Sequence, residues 1–192
     1  MTKRFSTFLL CLGLGICINT HAQSQSFLIL GDIHYDLLEN HDMEWLQKKP
    51  DDLRQVTTEY TQFTKKNWPA FSKQLRNRVK TYKPEIKAIL QLGDISEGLA
   101  GSEQKAEQMA QSVVKAVDAV AMSIPWIITK GNHDITGPGA QEAFIKYYIP
   151  MFQKQLDRTD IASANYAHQI GENLFVCFDP WEKKIDVLEL LE

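Results

Sequence analysis

Residues 27–34 read Phe27-Leu28-Ile29-Leu30-Gly31-Asp32-Ile33-His34: four apolar residues, a glycine, then a carboxylate and an imidazole two positions apart. The pattern returns twice. Ala88 to Leu92 (AILQL) runs into Gly93-Asp94-Ile95-Ser96, and Trp126 to Lys130 (WIITK) runs into Gly131-Asn132-His133-Asp134. An apolar run of this length broken by glycine reads as a buried strand that stops at a tight turn. Each turn leads into a hard oxygen donor or an imidazole, the ligand set of divalent metals. Placed side by side, three such strand ends gather Asp32, His34, Asp94 and Asn132 into one cluster. On an extended segment Asp32 and His34 point to the same side and grip one ion.

The stretches between the runs supply helices. Leu53, Val56, Tyr60 and Phe63 recur at helical spacing, as do Phe71, Leu75 and Val79. Pro50 and Pro69 each sit where a helix can start, which predicts two helices after a short piece around Trp45. Ala106, Met109, Val113, Val117 and Val120 predict an amphipathic helix with Ser102 as its N-cap. Strand, helices, strand, helix, strand is the pattern of a parallel sheet with right-handed crossovers. Such sheets collect ligands outside the carboxyl ends of their strands, where all three motifs fall. Further on, Ala140 to Tyr148 predicts a helix stopped near Pro150. Asn165 to Ile170 and Leu174 to Phe178 predict a hairpin around Gly171. A last helix is expected over Glu182 to Leu191.

GDIH, GD and GNHD, in that order on successive strand ends, resemble the calcineurin-like metallophosphoesterases. The resemblance runs from about Phe27 to the last residue and includes Asn165-Tyr166-Ala167 and Phe175 to Asp179. It implies an α/β fold, a β-sheet core flanked by helices in an αββα sandwich. It implies hydrolysis of phosphoric esters by a water activated between two divalent ions. In the roles it implies, Asp32 and His34 hold the first metal, Asp94 bridges and Asn132 holds the second. His133 stabilises charge or protonates the leaving oxygen, and Asp134 orients its ring. Carboxylate, amide and imidazole donors without thiolate suit manganese, iron or zinc. Glu97 is either a hydrogen-bond acceptor behind the ligands or a residue without a role. Tyr35 and His41 read as exposed loop residues, and His168 as structural.

The family completes its site with later histidines, one in a Gly-His pair. This chain has no Gly-His, and after His133 its only histidine is His168. Its second metal would thus be poorly held, since such sites need about three protein ligands each. Two readings stay open. The sequence is the N-terminal portion of a longer, truncated domain, or it is a short chain acting as a non-catalytic metal- or phosphate-binding module. In either case little or no turnover of p-nitrophenyl phosphate is expected from these 192 residues alone.

Residues 1–22 carry the pattern of a signal peptide: Lys3 and Arg4, an apolar run from Phe8 to Ile18, and Thr20-His21-Ala22 before Gln23. Export to the periplasm or exterior is the expectation, with residues 23–192 as one domain and no membrane contact after cleavage. Cleavage removes two bases and no acid, taking the net charge from −3 to −5. That acidity argues against binding to a nucleic-acid backbone. Cys11 and Cys17 leave with the signal, so Cys177, in a strand-like run, has no disulfide partner and reads as a core residue. The resemblance implies a phosphate ester as partner; its exact class and the oligomeric state stay open.

Overall fold

A computed structural model describes residues 24–120 and 122–182. The expected signal segment lies outside the described residues, as does all but the first residue of the expected final helix. The first strand, β1 (Ser26–Leu30), is followed by a 3₁₀ turn at Leu38–Asn40 and a one-turn helix α1 (Met43–Leu46) capped by Asp42. Then come α2 (Pro50–Gln55), a π-helical turn (Val56–Tyr60) and α3 (Thr61–Thr81). Strand β2 (Ile86–Gln91), α4 (Glu103–Val120) and β3 (Trp126–Ile128) complete the parallel part. The strands pair in the order β1-β2-β3, all parallel. The fold is therefore α/β, a parallel sheet flanked by helices.

The central strand β2 and the short β3 are buried, as a parallel sheet covered on both faces requires. The buried side of α4 is Ala106, Met109, Ala110, Val113, Ala116, Val117 and Val120, spaced three or four apart. Each large apolar side chain buried there contributes about 1.5–3 kcal/mol. Ser102 caps α4, its Oγ accepting from the Lys105 amide at 3.4 Å. No helix among the described residues is long and apolar enough to cross a membrane.

Two prolines fall differently from expectation. Pro50 opens α2, but Pro69 lies inside α3, so residues 50–81 form one continuous helical run rather than two helices. Pro150 does not stop its helix either. The run passes from α5 (Ala140–Ala143) through a π-helical turn (Phe144–Tyr148) into α6 (Ile149–Leu156), with Pro150 in the first turn of α6. Proline lacks the amide that a continuous ladder would use, and here it falls at the junction of the π-helical turn with α6. The chain ends its described part in an antiparallel hairpin, β4 (Tyr166–Ile170) and β5 (Asn173–Cys177), joined by Gly171-Glu172. The hairpin meets the parallel sheet through Tyr166, whose hydroxyl donates to the Ile128 carbonyl at 2.8 Å and accepts from its amide at 2.9 Å. Cys177 is buried, as expected of a core residue.

Candidate metal centre

All three motifs sit at the carboxyl ends of β1, β2 and β3. Pairing continues past the strands into the turns: the amides of Ile33 and His34 both donate to the Asp94 carbonyl, at 3.0 and 2.9 Å, and that of Tyr35 to the Ile95 carbonyl at 2.9 Å. The side chain of Gln91, fully buried, fastens the turns from below. It accepts from the Gly93 amide at 3.0 Å and donates to the carbonyls of Gly93 and Gly31, at 2.6 and 3.3 Å.

The second and third turns interlock more tightly. A Cβ at Gly131 would fall 2.1 Å from both the amide nitrogen and Oδ1 of Asp94, and one at Gly93 would fall 2.9 Å from the Gly131 Cα. Only glycine permits this approach, and Gly93 also takes φ +97. Gly31, by contrast, would meet nothing within 4 Å. It marks the end of a strand without being needed for close approach.

Asp32, His34 and Asp94 each place a ligand atom within 4.8 Å of the others. The extended geometry expected for Asp32 and His34 is not what brings them together. His34 has φ +44 and Asp94 φ +51, left-handed values that cost a non-glycine residue about 1–3 kcal/mol. Strain of this kind persists where the surroundings over-determine it, here through the double acceptor at the Asp94 carbonyl. Asn132 lies exposed at the rim, and the amide of His133 beside it donates to Asp94 Oδ1 at 2.9 Å.

A second triad shares His34: its ring, Glu97 and His133 also offer ligand atoms within 4.8 Å of one another. Here Glu97 serves as the acceptor behind the histidines. It is fully buried and takes a hydrogen bond from His34 Nδ1 at 2.7 Å. His133 Nδ1 meets the Glu97 carbonyl at 2.9 Å and its carboxylate at 3.5 Å. Burial alone would raise the Glu97 carboxyl, but the bonds from His133 and His34 outweigh it and hold it below the usual carboxylate range. The same Glu97 contact pushes the His133 imidazole up to about 9. The two rings meet edge to face, centroids 4.7 Å apart.

Asp134 does not reach the His133 ring through any hydrogen bond of its carboxylate. Oδ1 accepts from the amide and hydroxyl of Ser96, at 2.9 and 3.0 Å, and Oδ2 from the Gly131 amide at 2.9 Å. The residue ties the β3 turn to the β2 turn, while Glu97 orients the imidazole. Burial pushes the Asp134 carboxyl up to about 6. His41 also departs from expectation. It is 3% exposed, with Nε2 on Asp36 Oδ1 at 2.8 Å and Nδ1 on the Leu99 carbonyl at 3.1 Å. Burial would lower its pKa, but the bond to Asp36 wins and raises it. Tyr35 is half-buried against Trp68, ring centroids 5.2 Å apart. His168 faces Phe175 across the hairpin.

The donor set fits a divalent cation. Two carboxylates and an imidazole converge, and Glu97 occupies His34 Nδ1, leaving Nε2 for an ion. A carboxylate behind a histidine in this way fixes its tautomer and raises its basicity toward a metal. Glu97 Oε1 is itself buried without a hydrogen-bond partner among the described residues. Among curated proteins, none gives a significant match to the chain. The family model described as calcineurin-like phosphoesterase matches residues 26–187, most of the chain and all three strand-end motifs. The chain is a member of the calcineurin-like phosphoesterases.

Proposed function

We propose that this chain hydrolyses phosphoric ester bonds at a centre for two divalent metal ions built on the β1, β2 and β3 turns. The convergence of Asp32, His34 and Asp94 within 4.8 Å carries the reading, together with family membership. Asp32 and His34 would hold one ion, Asp94 would bridge to a second, and Asn132 would offer its amide oxygen there. Ions so bound supply charge neutralisation at the phosphoryl group and an activated water for in-line attack.

The chain's own residues do the rest. His133, with Nδ1 engaged by Glu97, keeps Nε2 free to donate to a phosphoryl oxygen or to protonate the leaving oxygen. Glu97 positions both His34 and His133, and Asp134 keeps the two turns in register. The signal-like segment at residues 1–22 supports action outside the cytoplasm.

The test is hydrolysis of p-nitrophenyl phosphate and of bis-p-nitrophenyl phosphate with manganese, for the 192-residue chain and its Asp94→Asn variant. Turnover by the parent clearly above that of the variant supports the reading, however slow. Equal rates, with manganese still bound by the parent, would convert the protein into the binding module. The ligand set favours slow turnover, because Asp94 and Asn132 are the only donors assigned to the second ion.

A further inference from the structure

The sequence places Tyr60 on an apolar helical stripe with Leu53, Val56 and Phe63. The structure breaks that stripe. Val56 is buried, Phe63 is 58% exposed, and between them the helix widens into the π-helical turn Val56–Tyr60, closed by the Thr61 amide on the Val56 carbonyl. One extra residue in the ladder turns everything after it by about 100° around the helix axis relative to the residues before it. Such turns recur at functional sites.

Beyond the turn, residues four apart face the β1 loop. The Tyr60 ring lies over His34, centroids 4.8 Å apart with planes inclined at 33°. Thr64 Oγ1 accepts from the Asp36 amide at 2.9 Å and donates to the His34 carbonyl at 3.4 Å. Trp68 meets Tyr35 edge-on. Thr64 and Trp68 are accounted for by holding the loop. Tyr60 is not, because its ring is only partly covered and no hydrogen bond to a described residue acts on its hydroxyl. The ring stacked on His34 sets this phenol beside the Asp32–His34–Asp94 cluster. It is a fixed O–H beside an acidic cluster that would otherwise repel a phosphate.

We propose that Tyr60 is a substrate-binding residue, its phenolic O–H donating to a phosphoryl oxygen of a phosphate ester held over the Asp32–His34–Asp94 cluster. The assignment rests on the metal-dependent reading above and adds a contact outside the three motifs. The π-helical turn is the device that delivers it.

Titration calorimetry tests this with manganese and then with orthophosphate on the manganese-loaded 192-residue chain, for the parent and Tyr60→Phe. The variant keeps the ring over His34 and loses only the hydroxyl. Manganese affinity should stay within about twofold, while orthophosphate binding weakens roughly 10-fold or more, the scale of a hydrogen bond to a charged group. Equal orthophosphate affinity in both proteins overturns the Tyr60 assignment alone. Loss of manganese affinity in Tyr60→Phe overturns it in favour of a role in positioning His34. A manganese-loaded parent that binds no orthophosphate sinks the phosphoesterase reading, and this assignment with it.

Discussion

The two sides of the candidate metal centre are built by different means. On the β2–β3 side backbone meets backbone: Gly131 presses on Asp94, Gly93 on Gly131, and the buried Asp134 pins both turns. On the β1 side a Cβ at Gly31 would meet nothing, Asp32 is exposed, and the loop is held by side chains from α3 and by Glu97. The difference separates stability from ligand affinity. Breaking the glycine contacts or buried ties of the β2–β3 side should destabilise the protein, whereas loosening the side chains that hold the β1 loop should leave it folded and impair metal binding.

The largest effect is expected at Lys130, just before the β3 motif, whose ammonium pairs with Asp179 in near-complete burial. Lys130→Met leaves that carboxylate buried and uncompensated, at a cost of about 3–5 kcal/mol in urea unfolding. Adding Asp179→Leu should recover most of the loss. Recovery of none of it would show that the pair is not what holds this segment.

Next comes Gly131→Ala, which drives a methyl group into the Asp94 backbone and should cost about 3 kcal/mol. Gly31→Ala should stay within about 0.5 kcal/mol of the parent. Similar unfolding midpoints for the two variants would erase the contrast between the sides. On the β1 side, Thr64→Val removes the acceptor for the Asp36 amide. It should cost about 1 kcal/mol and weaken manganese binding about 10-fold, as loss of an outer partner does. An unchanged manganese affinity would mean that α3 does not organise the loop.

The last test concerns the hairpin packed on β3, away from the site. Burial pushes the Cys177 thiol up to about 11. Alkylation of Cys177 at pH 8, followed by peptide mass spectrometry, should be at least about 100-fold slower in the folded protein than in urea. Equal rates would show that the hairpin opens readily.

Much of this was legible in the sequence because glycine and apolar runs report directly on strands and their ends. The Gly93-Asp94 and Gly131-Asn132 pairs gave the site its place. The left-handed turn at His34 was not legible, since nothing in the tripeptide Asp32-Ile33-His34 announces a positive φ. Nor was the role of Asp134: a carboxylate beside a histidine in sequence suggests an orienting pair, while the fold puts Glu97 behind the ring. Pro69 reads as a helix start and Pro150 as a helix stop because propensity is local, and packing carries the helices past both. The π-helical turns left no mark in the pattern of apolar residues, so Tyr60 was counted with the wrong face.

The central claim is that the strand ends hold a metal, and calorimetric titration with manganese of the parent and Asp94→Asn tests it most directly. Asparagine keeps an Oδ1 to accept from the His133 amide, so the fold should survive, as circular dichroism will check. The account predicts that manganese binding falls by more than the ~10–100-fold that losing an outer partner costs. Undiminished affinity in the folded variant would contradict it.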